Sequence, residues 1–134
     1  MLEVYSKGVT VPENTNFPLQ SVKVWKGPTS VLSGNVINLT RRGVYRVTVS
    51  AVATSATAGV SGIQMYRNGV AEPAAETQST VPAAGYAAMS VTTYIQVADD
   101  ATPDPGSSPV QLQFIATGAE ATWDISICSE RLCA

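Results

Sequence analysis

The chain has 134 residues, a net charge of −2 and no histidine; 45% of its residues are hydrophobic and only 13% are charged. An ordinary soluble domain carries about 25% charged residues, so solvent must here be met mostly by Ser, Thr, Asn, Gln and backbone, and low charge also suits a protein that buries surface against partners. Without histidine the commonest general base and metal ligand are gone, which excludes Ser–His–Asp, Cys–His and zinc chemistry, and with Arg41-Arg42 the only basic doublet no nucleic-acid groove is expected.

Met1-Leu2-Glu3-Val4-Tyr5 does not place a basic stretch before an apolar run, and no apolar stretch approaches the roughly 20 residues of a membrane helix. Neither a signal peptide nor a membrane partner is expected. Short strands are predicted at 2–5, 9–11, 20–26 and 35–40. Over 43–53, Tyr45, Val47, Val49, Ala51 and Ala53 alternate with Arg46, Thr48 and Ser50, the period of a half-buried strand. Over 62–68, Ile63 and Met65 alternate with Gln64 and Tyr66; Asn68-Gly69 then precedes Val70-Ala71, a strong hairpin signal because both turn residues need positive φ. Residues 74–86 and 98–109 read as long connections. Over 89–97, Val91, Thr93, Ile95 and Val97 oppose Thr92, Tyr94 and Gln96. Further strands follow at 110–116 and at 123–127, where Trp123, Ile125 and Ile127 oppose Asp124 and Ser126.

Turn signals separate these runs, among them Lys26-Gly27-Pro28, Ser33-Gly34-Asn35, Arg42-Gly43 and Thr117-Gly118. No segment carries a sustained helical period. Nine or ten strands in one domain form two packed sheets or a closed barrel.

The candidate chemistry is sparse. Glu72 with Glu76, and Asp99 with Asp100 and Asp104, are the carboxylate groups that could pair as acid and base, and the three aspartates could instead hold calcium. Both sit in stretches read as loops, and the aspartate spacing does not fit a helix–loop–helix calcium site. They are taken as solvated charges. No catalytic residue, cofactor or metal is assigned, and an enzyme is not expected. Cys128 and Cys133 match no metal spacing and are read as free thiols in preference to a disulfide within or between subunits. A bridge between them would need a turn, since five extended residue steps separate their Cα atoms too widely. Tyr66 and Tyr94 lie opposite the aliphatic faces of their strands. If copies of the chain associate, these two become candidate interface residues.

Asn35-Val36-Ile37-Asn38-Leu39, then Arg42-Gly43-Val44-Tyr45-Arg46-Val47-Thr48-Val49, then Gln64-Met65-Tyr66-Arg67-Asn68-Gly69-Val70 and the closing Trp123-to-Ile127 strand resemble the complement globular heads and tumour-necrosis-factor-like jelly rolls. The likeness runs over about residues 20–132. Met-Leu-Glu-Val-Tyr and Val24-Trp25-Lys26-Gly27 are similar to its bacteriophage and bacterial members. No collagen-like stalk and no cytokine receptor loop is recognisable.

The resemblance implies an all-β jelly-roll sandwich of about ten antiparallel strands, assembling as a homotrimer. It implies a structural virion protein of the capsid-decoration or head-fibre type, made in the host cytoplasm and carried on the virion surface. Its partners would be its own copies and the major capsid or other virion proteins. The alternative is a carbohydrate- or host-binding adhesion domain of a phage or bacterial surface protein, with host-surface glycans as its partners. Residues 20–134 would form the jelly roll. Residues 1–19 would form an N-terminal arm or edge strand, with Val4, Tyr5, Val9, Val11 and Phe17 as its docking side chains.

Overall fold

The computed structural model describes residues 1–98 and 110–133. Its strands are β1 (Leu2–Val11), β2 (Ser21–Trp25), β3 (Ser30–Ser33), β4 (Val36–Leu39), β5 (Gly43–Ser55), β6 (Gly59–Arg67), β7 (Val70–Val81), β8 (Gly85–Val97), β9 (Val110–Gly118) and β10 (Ala121–Cys133). They form two five-stranded sheets, β2-β1-β10-β5-β8 and β3-β4-β9-β6-β7, called here the first and second sheets. All pairings are antiparallel. The chain passes between the sheets at both edges, from β2 to β3 and from β7 to β8. This is the jelly-roll sandwich that the alternation and the family resemblance imply. Among the described residues no helix is long and apolar enough to cross a membrane.

The alternating residues of the two inner faces make one core. Tyr45, Val47 and Val49 of β5 and Trp123, Ile125 and Ile127 of β10 meet Ile37 and Leu39 of β4, Ile63 and Met65 of β6, and Leu112 and Phe114 of β9, all buried. Burying a large aliphatic or aromatic side chain stabilises the fold by about 1.5–3 kcal/mol. Trp123 also takes the edge of Phe17, with ring centroids 5.2 Å apart at 81°, a geometry that matches the positive rim of one ring to the negative face of the other. The polar groups that enter the core are mostly paired. Ser30 and Ser129 share a hydrogen bond of 3.0 Å from one sheet to the other. Tyr45 Oη donates to the Arg41 carbonyl at 2.7 Å, which lets a phenol sit at the base of a core strand. Trp123 Nε1 and Thr117 Oγ1 are buried without a hydrogen-bond partner.

The Asn68-Gly69 hairpin forms as expected, with φ of 49° and 81° between β6 and β7. Asn68 also caps its neighbour, since Gln111 N–H donates to Asn68 Oδ1 at 2.7 Å.

Two sequence expectations need correction, and one strand lies where the sequence carries no strand signal. Residues 1–19 are neither a free arm nor an edge strand, because β1 lies inside the first sheet between β2 and β10. Val4, Val11 and Phe17 are core residues, Val9 packs against the core, and of the five only Tyr5 is exposed. A bulge at Lys7-Gly8 hides this pattern: it shifts the register between Ser6 and Val9, so the two halves of β1 do not share one alternating frame. Next, residues 74–86 are not a connection throughout, since β7 runs on to Val81. Its side chains are small and polar, as suits an edge strand, and Pro73 with Ala74 at φ 58° breaks its ladder, which discourages pairing with another chain. Finally, β3 is a strand of four residues that lies between two turn signals. The connection predicted at 98–109 and its Asp99, Asp100 and Asp104 lie outside the described residues, apart from Ala98.

Gly118 sets the turn from β9 to β10. It has φ 73°, and a Cβ there would lie 2.2 Å from the Val60 carbonyl oxygen in the adjoining strand. Gly118→Ala should cost at least about 2–3 kcal/mol, because strain and a backbone clash add. Urea unfolding followed by tryptophan fluorescence would show it as a lower midpoint with an unchanged slope.

Candidate interaction surface

The outward face of the first sheet is built from the residues that alternate with the core. Register places them in rows across the strands. One row runs Tyr5, Ser126, Ser50, Ser90; beside it run Cys128, Thr48, Thr92 and Asp124, Val52, Ala88. Most of these side chains are short, and the middle of the face sinks into a shallow depression of 550 Å³ walled mostly by Tyr5, Ser50, Val52, Ala88, Ser90 and Ser126, with Lys7 and Asp124 also lining it. Further charge lies around this area. Arg46 pairs with Glu130 at 2.7 Å and Lys23 with Glu3 at 3.9 Å, while Asp124 Oδ1 accepts from the Gly8 N–H in the β1 bulge at 2.8 Å. A centre of mostly short neutral side chains, with one lysine and one aspartate at the depression and the ion pairs farther out, is compatible with a protein–protein interface. The exposed pairs themselves contribute little to stability, about 0–1 kcal/mol each.

Tyr94 stands on this face on edge strand β8 and is 60% exposed. Tyr66 does not join it. It is half-buried on the outward side of β6, in the second sheet, so the two tyrosines lie on opposite faces of the sandwich. Trp25 belongs to neither group: its Nε1 donates to the Ser30 carbonyl at 3.1 Å, which ties β2 to β3 at the edge between the sheets.

Glu72 and Glu76 lie on edge strand β7, not in a loop. Gln64 reaches across to this strand, its Nε2 donating to the Glu72 carbonyl at 3.1 Å, so the contact involves backbone and leaves the carboxylates uninvolved. Among the described residues no three His, Cys, Asp or Glu side chains gather as a metal site. Cys128 and Cys133 are both free thiols on β10. Cys128 is half-buried in the outward face. Burial pushes its thiol pKa up, and the nearby Glu3 and Glu130 carboxylates push the same way.

Ser50, Val52, Ala88, Ser90 and Ser126 are not legible as a site in the sequence. Their only signal is the second face of each alternating strand, which looks like any solvent face until the strand order is known.

No family model matches the chain and no curated protein matches it. Its fold is shared with solved structures at low identity. The globular domain of zebrafish complement 1qA protein superposes with a TM-score of 0.63 at 6% identity, covering 98% of this chain and 95% of that one. PRD1 vertex protein P5 superposes at 0.57 with 14% identity, covering 97% and 94%. The Eiger TNF of S. frugiperda superposes at 0.59 with 12% identity, covering 94% and 90%.

The thiols give a direct probe of this face. Cys133 is exposed and Cys128 is not. Iodoacetamide at pH 8 should label Cys133 first, with Cys128 reacting several-fold more slowly and gaining rate only at higher pH, because the thiolate is the nucleophile. Peptide mapping by mass spectrometry reads the order.

Proposed function

We propose that this chain is a non-catalytic structural protein that associates with its own copies through the outward face of the first sheet and is displayed on a bacteriophage particle. The observation that carries the reading is the face itself: a broad strip of Ser, Thr, Ala and Val around a shallow depression, with ion pairs displaced to the rim. Isolated Ser and Thr on a strand are ordinary surface. Aligned on three adjacent strands with Val52 and Tyr5, they form a surface flat enough for another copy to approach closely, with few charges to desolvate.

The homotrimer comes from the family resemblance, and the particle setting is supported by the fold shared with a phage vertex protein. A threefold ring uses two different patches of each copy. The depression and the exposed Tyr94 on β8 are suited to these two roles. Contacts with the major capsid or another virion protein are part of the same reading.

Native mass spectrometry should give three times the chain mass. Ser50→Arg puts a long cation at the centre of the face and should yield a folded monomer, with unchanged circular dichroism and thermal midpoint. A wild-type monomer, or a Ser50→Arg trimer, overturns the assembly. Absence of the protein from purified particles overturns the virion setting.

A further inference from the structure

A second, chemically different surface lies where β5 ends and β10 begins. Register aligns Thr10, Thr122, Thr54 and Tyr86 across four strands on the outward side. The Thr10 and Thr122 hydroxyls are 2.9 Å apart and hydrogen-bonded, and Thr54 Oγ1 donates weakly to the Thr122 carbonyl at 3.4 Å. Two adjoining depressions, of 410 and 370 Å³, share Thr54, Ser55, Ala56 and Thr122, so they read as one groove. Thr57 and Glu120 line its larger part. Tyr86 stands beside it, 72% exposed, with its Cβ about 5 Å from that of its cross-strand partner Thr54.

The lining decides the ligand class. Hydroxyls supply both donors and acceptors, and Glu120 supplies a strong acceptor. No Lys or Arg lines the groove among the described residues, so it has no side-chain cation for a phosphate, sulfate or sialic acid, and its carboxylate opposes anions. Its apolar side chains are all alanines, too small to hold a lipid or an apolar peptide. The exposed tyrosine is an apolar plate with a negative face, which suits the slightly positive C–H side of a pyranose ring.

We propose that this groove binds a neutral glycan, with a sugar ring stacked on Tyr86 and its hydroxyls bonded to Thr54, Ser55, Thr57 and Glu120. The groove shares no lining residue with the central depression of the same sheet. Sugar binding and self-association are therefore separable.

The experiment is an array of neutral and anionic oligosaccharides probed with the full chain, each hit being titrated by isothermal calorimetry. Native mass is recorded on the same sample. Saturable binding of a neutral oligosaccharide is expected. Tyr86→Ala should weaken it by roughly tenfold or more, while Tyr86→Phe, which keeps the ring, should change it little. Glu120→Ala should weaken it as well, and Ser50→Arg should leave each site's affinity unchanged even if the assembly is lost. An array without neutral hits, hits confined to anionic glycans, or hits indifferent to Tyr86→Ala overturn the proposal. The native mass then says independently whether self-association stands.

Discussion

β10 is hydrogen-bonded along both sides, to β1 and to β5, for nearly its whole length. Because side chains alternate, that double pairing decides the content of both surfaces of the first sheet at once. Trp123, Ile125 and Ile127 are buried while Asp124, Ser126 and Cys128 are not. A slip of one residue would carry Asp124 and Ser126 into the core and expose the tryptophan, costing several buried side chains at once. The outward rows of Ser, Thr and Ala are thus held in place by the apolar residues behind them.

The same logic explains the position of the N-terminal segment. β1 has β10 on one side and β2 on the other, and Phe17 returns to lie edge-on against Trp123. Removing this segment would strip one ladder from β10, take Leu2, Val4 and Val11 out of the core, and leave one face of the central tryptophan uncovered. The segment is part of the core's closure.

Where a strand alternates cleanly, sequence and structure agree: Tyr45 to Ala53, Ile63 to Tyr66, Val91 to Val97 and Trp123 to Ile127 all lie as their period requires, and Asn68-Gly69 turns as its φ preference requires. Legibility fails where the period is interrupted or where polarity carries no contrast. The β1 bulge breaks the alternation between Ser6 and Val9, and between its terminal valines β7 is written mostly in Ala, Thr, Ser and Glu, so neither face of it stands out. The candidate surfaces were hidden for another reason. A row such as Tyr5, Ser126, Ser50 and Ser90 draws on four strands far apart in the chain, and lateral order is a property of topology that no local period encodes. Tyr66 and Tyr94 illustrate this: each is correctly read as opposite its strand's aliphatic face, yet the two strands belong to different sheets.

β1 begins and β10 ends at the same end of the sandwich, with Leu2 paired to Ser129, while Val11 and Ala121 meet at the other. The threonine groove lies at that other end. A tether joined at either terminus therefore holds the domain by one pole and leaves the opposite pole standing clear, farther out by the length of β10. Its 13 residues span about 40 Å of extended strand. The sandwich would then act as a rigid spacer that carries the groove away from whatever anchors it.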